Sequence, residues 1–326
     1  MHPAFSVIFL TTLIGVGQGL FLALFTVQAY ALFGVLPPVD ATTFYAHGSL
    51  VALAFLGAGL VASFFHLGRP ERAWRSASQW RTSWLAREVI ALPAFGVLLA
   101  AYGLAHLTGM KPTLALLPSG QPVDATVALG TIATLLAFAL FVCTGMVYAC
   151  LRFLREWASP LTVLNYILLG GASGFTLASA FAAAQQPQLA PFLAGWALAL
   201  TLAAFLGHAA ALERNRRLRP ASTVQSAIGI KHPVIAQKSR GFTGGSFNTR
   251  EFFHGRPRAL VRTVKWLAIA GVFLVPALLL AAALSTASAP LLAAAFAVQY
   301  FGLIAERWFF FAQANHPQNV YYQALA

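Results

Sequence analysis

Six ionisable side chains stand inside or at the edges of long apolar runs: His66, Arg69, Glu88, His208, Glu306 and Arg307. Such groups are costly in apolar surroundings, and where they persist they tend to bind ligands or carry protons. Glu306 tells most. It lies about six residues from the end of its apolar run, roughly 9 Å inside at 1.5 Å per residue. A lone carboxylate at that depth is neutralised or paired. Arg307 is adjacent, but neighbouring helical positions point about 100° apart. Each is therefore expected to meet a partner on another helix, with His66, Arg69 and Glu88 available. Two readings remain open, a structural interhelical ion pair or a pair that handles protons or holds a ligand.

His66 opens the string His66-Leu-Gly-Arg-Pro-Glu-Arg-Ala-Trp-Arg75. Gly68 and Pro70 end a helix there, leaving His66 on its last turn. An imidazole at that boundary either satisfies itself at the interface or exchanges a proton with a ligand oxygen. His66 shares its depth with His208, and His47 shares another with His106. On arithmetic alone either pair could be the axial ligands of a b-type haem. A c-type haem is excluded, because no Cys-x-x-Cys-His occurs. Cys143 and Cys150 fall on one helical face and read as small core residues, not as metal ligands. Gly15-Val-Gly-Gln-Gly19 lies in a helix with no preceding strand, so it reads as close helix packing and not as a nucleotide loop.

The elements that position these groups follow from composition. Of 326 residues, 59% are hydrophobic and 9% charged, with a mean hydropathy of +0.73. This excludes a soluble globular domain, a disordered chain and a disulfide scaffold. A helix needs about 20 mostly apolar residues to cross the hydrocarbon core. Eight stretches qualify: Ser6–Gly34, Ala46–Phe65, Trp84–Leu107, Ala125–Leu151, Leu161–Ala184, Ala190–Leu212, Val264–Leu284 and Pro290–Ala312. The fold class is an all-α integral membrane bundle of eight transmembrane helices, a single transmembrane domain over residues 1–326. Met1-His2-Pro3 has no positive n-region, so the first helix is expected to be retained.

The net charge of +13 is a matter of topology and not of nucleic-acid binding. Of the 21 basic residues, only Lys111 falls in a loop after an odd-numbered span. Arg69, Arg72, Arg75, Arg81 and Arg87 follow the second span, Arg152 and Arg155 the fourth, and twelve lie between Arg214 and Lys265. The positive-inside rule then puts those loops and both termini in the cytoplasm. Trp74, Trp80, Trp84, Trp157 and Trp266 sit near the same span ends, as interfacial rings do. The ionisable residues crowd this leaflet. That counts against a transporter, whose substrate site would lie near the midplane.

The segment 213–263 is the extended polar loop. It reads either as a basic strap on anionic lipid headgroups or as a docking segment for a soluble partner. The second reading is preferred, with Lys231, Arg240 and Arg250 joining Arg72 and Arg75 in the landing surface.

Three strings resemble one family: His2-Pro-Ala-Phe-Ser-Val-Ile-Phe-Leu-Thr-Thr12, His66 to Arg75, and Ser83-Trp-Leu-Ala-Arg-Glu-Val-Ile90. They are similar to the membrane anchor subunit of DMSO reductase-type molybdenum oxidoreductases. The long sixth loop, with Thr223-Val-Gln-Ser-Ala-Ile-Gly-Ile230 and Gly244-Gly-Ser-Phe-Asn-Thr-Arg-Glu-Phe-Phe-His-Gly255, resembles the branch found in cytoplasmic sulfite-oxidising complexes. The resemblance implies a quinone-reactive anchor without haem in the bacterial inner membrane. It implies a ferredoxin-type subunit with four-iron–four-sulfur clusters and a catalytic subunit with molybdenum bis-pterin guanine dinucleotide. It implies quinol binding at His66 and a functional acidic–basic pair at Glu306-Arg307. On this reading the quinone (ubiquinone or menaquinone) is held by His66, Arg69, Glu88, His208, Glu306 and Arg307. His66 and Glu306 pass protons.

Overall fold

The computed structural model describes residues 3–37, 39–118, 120–219, 222–236 and 257–321. Eight helices are long and apolar enough to cross a membrane: Phe5–Leu32, Thr42–Phe64, Trp84–Thr108, Ala125–Ala149, Pro160–Gln185, Pro187–Arg216, Arg258–Thr286 and Ala289–Ala312. They match the eight sequence-derived stretches within a few residues at most ends. The largest shifts flank the long loop. The sixth helix carries on to Arg216, because Glu213 pairs with Arg216 one turn later (2.7 Å), and the seventh begins at Arg258.

The first and fifth spans form the buried centre, and glycine is the reason they fit. Gly19 faces the backbone of Gly170 and Gly174 so closely that a Cβ at either helix would strike the other's main chain. Without a hydrophobic driving force between helices in lipid, such close backbone approach supplies the packing. The glycine spacing of the first span is thus a packing device, as its helical setting indicates.

The seventh span is not a regular helix. Pro276 has no N–H, so the Val272 carbonyl loses its partner one turn back. A π-helical turn over Ala270–Leu274 absorbs the defect, and Gln299 of the eighth span donates its amide to the freed oxygen (3.2 Å). Re-satisfying a broken backbone by a neighbouring side chain is what makes proline tolerable inside a span.

Short polar contacts identify the two ends. At one end Arg214 donates to the carbonyls of Arg155 and Ala158 (both 2.9 Å), and Trp157 donates to the Phe310 carbonyl (2.8 Å). The loops after the fourth and sixth spans therefore meet the end of the eighth; this is the basic end. At the other end Gln186 donates to Thr43 (3.2 Å), joining the fifth loop to the start of the second span. The third loop adds a hairpin, β1 (Thr113–Leu116) against β2 (Pro122–Asp124), antiparallel, with Gly120 in a left-handed turn. The all-α expectation missed it, because the strands are too short to show a period. Asp124 leaves β2 and caps the fourth span through the amides of Thr126 and Val127 (2.9 and 3.1 Å).

Candidate functional site

Four of the six sequence-derived site residues come together at the basic end. Glu88 lies one turn into the third span, His208 two turns before the end of the sixth, and Glu306 and Arg307 two turns before the end of the eighth. All but Glu88 are buried, Glu306 to 2% exposure and Arg307 to 4%. Because each stands one or two turns from the same ends of its helix, antiparallel packing brings them to one level.

The pairing differs from the expectation. Arg307 Nε donates to Glu306 Oε2 at 2.6 Å, so the adjacent residues do pair. Their Cβ atoms diverge, but the long arms curl back to meet. Inside an apolar bundle an unpaired charge costs more than the bent arms do. None of His66, Arg69 or Glu88 is the second partner. The other Glu306 oxygen lies 3.6 Å from His208 Nδ1 on the sixth span. The Arg307 guanidinium also stacks on Tyr166 of the fifth span (4.2 Å) and on Phe310 (4.9 Å). Tyr166 in turn stacks parallel on Tyr148 of the fourth span, with centroids 5.8 Å apart.

Beside this cluster is a small cavity lined by Thr11, Thr12, Gln18, Glu88, Thr144, Tyr166, Ser173 and Arg307. Its free volume is about 30 Å³, room for a water or a single oxygen-bearing group and not for an aromatic ring. Thr144 donates to Glu88 at 2.6 Å. The Tyr166 hydroxyl and Arg307 Nη1 lie close to one another, yet neither makes a well-formed hydrogen bond. Buried donors left open are rare in folded proteins and need a reason. Here both belong to residues that line a cavity facing a carboxylate.

His66 and Arg69 do not join them. The second helix stops at Phe64, and His66 and Arg69 are exposed beyond it and do not line the small cavity. Partial desolvation at the helix end holds the His66 imidazole below its ordinary pKa. A 3-10 helix, Pro70–Gln79, follows and packs against the third span, carrying Arg72 and Arg75 on its exposed surface. Lys231 is exposed as well, while Arg240 and Arg250 lie outside the described residues.

The members of each histidine pair considered for haem differ in exposure: His66 is exposed, whereas His208 is buried. His47 is exposed, and His106 is wedged between the rings of Tyr45 and Tyr102, each 4.6 Å away. No cluster of three or more His, Cys, Asp or Glu is placed to hold a metal among the described residues.

Tyr148, Tyr166 and Thr144 escape a reading that follows ionisable residues. Tyrosines near span ends pass for interfacial belt residues. The available signal is that both stand at the depth of Glu88 and Arg307.

The family described as DMSO reductase anchor subunit (DmsC) matches residues 1–311. Over 326 residues, covering the whole of both chains, the sequence is 54% identical to a sulfite dehydrogenase subunit of Allochromatium vinosum.

Proposed function

This chain belongs to the DMSO reductase anchor subunit family, and on that premise we propose that it is the quinone-reactive, non-catalytic subunit of a molybdenum/iron–sulfur oxidoreductase. It sits in the bacterial cytoplasmic membrane with both termini and its basic loops on the cytoplasmic side. There the exposed Arg72, Arg75 and Lys231, with Arg240 and Arg250, receive a ferredoxin-type iron–sulfur subunit. The assembly is completed by a molybdenum bis-pterin subunit. Electrons run from sulfite to quinone, a direction supported by the name of the 54% identical relative. The family's own description supports a second reading, quinol-driven reduction of DMSO or another S- or N-oxide.

The observation that carries the site is the pair of open buried donors, Tyr166 Oη and Arg307 Nη1, on residues lining a cavity with Glu88. A quinone, once bound, takes up two electrons and two protons at its ring oxygens. Open donors beside a carboxylate suit an oxygen that gains negative charge as it is reduced. The cavity admits that oxygen or a water; the ring itself stays at its margin. His66 and Arg69, exposed just beyond the end of the second span, serve the approach from the cytoplasmic leaflet. Glu88 and Glu306 pass protons, Arg307 orients Glu306, and Thr144 orients Glu88.

In the intact complex, Glu88→Gln is expected to lower quinone-linked turnover on the order of 100-fold or more. Assembly and turnover with a soluble dye should stay intact. His66→Ala should behave alike. Wild-type quinone-linked rates in Glu88→Gln would remove the cavity from the reading.

A further inference from the structure

The sixth, seventh and eighth spans leave a wide groove of about 900 Å³ at the basic end, with His208 among its lining residues. Its floor is apolar, with Phe205, Leu212, Val261, Ile269 and Phe309 among the lining residues. Its rim is basic. Arg258, Arg262 and Lys265 follow one another at spacings of four and three, so they form one stripe along the first turns of the seventh span. All three line the groove, as does Arg216.

Two features show that this charge is unspent. The only acid among the lining residues, Glu213, is already held by Arg216 (2.7 Å) and Arg217 (2.6 Å). Arg258 and Arg262 have no ion pair or side-chain hydrogen bond among the described residues. Lys265 stacks on Trp266 (5.1 Å), an aromatic residue of the kind that marks the headgroup level. From Arg258 the lining continues to Ile269, about 16 Å deeper at 1.5 Å per residue. An occupant must therefore be anionic at the end of the span and apolar well into the hydrocarbon region. That is the shape and charge of a phospholipid. A soluble partner or a free anion reaches only the rim, and a quinone ring brings no charge to match it.

We propose that the groove between the sixth, seventh and eighth spans is a binding site for one anionic phospholipid, its phosphate held by Arg258, Arg262 and Lys265 and its acyl chains laid along Phe205, Ile269 and Phe309. The lipid covers the outer flank of His208, whose Nε2 is buried without a hydrogen-bond partner, and so lies between the Glu306 pair and the surrounding bilayer. The interaction of basic interhelical pockets with anionic headgroups has ample precedent in membrane electrostatics.

The test uses the full-length chain in its complex, purified into detergent and analysed by native mass spectrometry with added phosphatidylglycerol or phosphatidylethanolamine. Wild type should retain phosphatidylglycerol selectively. Arg258→Gln/Arg262→Gln/Lys265→Gln should bind it on the order of 100-fold more weakly, as expected from three lost headgroup charges. The charge-preserving Arg258→Lys/Arg262→Lys/Lys265→Arg protein controls for folding and should bind within about threefold of wild type. Brominated phosphatidylglycerol should quench a fluorescence component that Trp266→Phe removes. Equal retention of both lipids by wild type, unchanged retention by the glutamine variant, or loss of binding in the charge-preserving variant would each overturn the proposal. So would quenching that survives Trp266→Phe in full.

Discussion

At the end of the bundle away from the basic loops, Tyr102 donates to Gln28 Oε1 (2.8 Å), Gln28 donates to the Thr126 hydroxyl (2.6 Å), and Thr126 donates to Asp124 (2.7 Å). Neutral groups hand one hydrogen bond to the next until a half-buried carboxylate at the rim closes the chain. At the basic end the corresponding cluster contains an ion pair, Glu306 with Arg307, and the carboxyl of Glu88. It surrounds a cavity and leaves donors open on Tyr166 and Arg307. Both ends hold tyrosines, a buried histidine and a carboxylate. The difference is whether the network closes on itself. A closed network locks helices together; an open one, kept under tension by buried charge, is where a ligand or a proton finds a place.

The sharpest way to break this contrast is to remove one charge from the open cluster. Arg307→Met leaves Glu306 with His208 alone at 3.6 Å, in a site 2% exposed. Removing one member of a buried ion pair costs about 3–5 kcal/mol, because the survivor stays desolvated. The thermal midpoint of the purified complex should fall accordingly. Glu306→Leu/Arg307→Met should recover most of the loss, since two apolar groups leave no stranded charge. If the double variant is no more stable than the single one, the pair is not an electrostatic unit and the comparison fails.

At the closed end the effect should be smaller and confined to stability. Tyr102→Phe strips the donor from Gln28 Oε1, a buried acceptor, at a cost of about 1–3 kcal/mol. Quinone-linked turnover, measured at a temperature where the variant is folded, should match wild type. A turnover defect without a stability defect would show that the closed network also serves the reaction, and the two ends would no longer differ in kind.

How far these two ends could be read from residue order alone depends on what each feature rests on. The eight spans are legible because crossing a bilayer imposes a length and a composition. The shared level of Glu88, His208, Glu306 and Arg307 is legible because depth along a helix is simple arithmetic. Partnership is not. Glu306 and Arg307 point apart at Cβ, and their meeting depends on flexible arms and on the absence of competing partners, neither of which a spacing rule contains. His66 reads as level with the cluster, but its helix ends at Phe64 and the chain turns outward before it can join. The π turn at Ala270–Leu274 is foreshadowed by Pro276 as a kink, whereas the rescue by Gln299 needs the eighth span in place. The hairpin of the third loop is hidden because two strands of three and four residues carry too little pattern to register.

One residue at the closed end does not obey the contrast. His106 is 2% exposed, and neither ring nitrogen has a hydrogen-bond partner. Its ring is held by shape, stacked on Tyr45 and edge-on to Tyr102, each 4.6 Å away. It lines neither the small cavity nor the wide groove of the basic end. A histidine kept for its flat ring should be replaceable by another flat ring. His106→Phe removes two unpaired polar atoms, each an uncompensated desolvation cost, and adds a modest volume that the stack must absorb. The two terms oppose each other, so the net change in stability should stay within about 1 kcal/mol. Thermal unfolding of the purified complex measures it. A loss well beyond that range would mean that the imidazole nitrogens matter to the fold, and this end too would hold an open polar site.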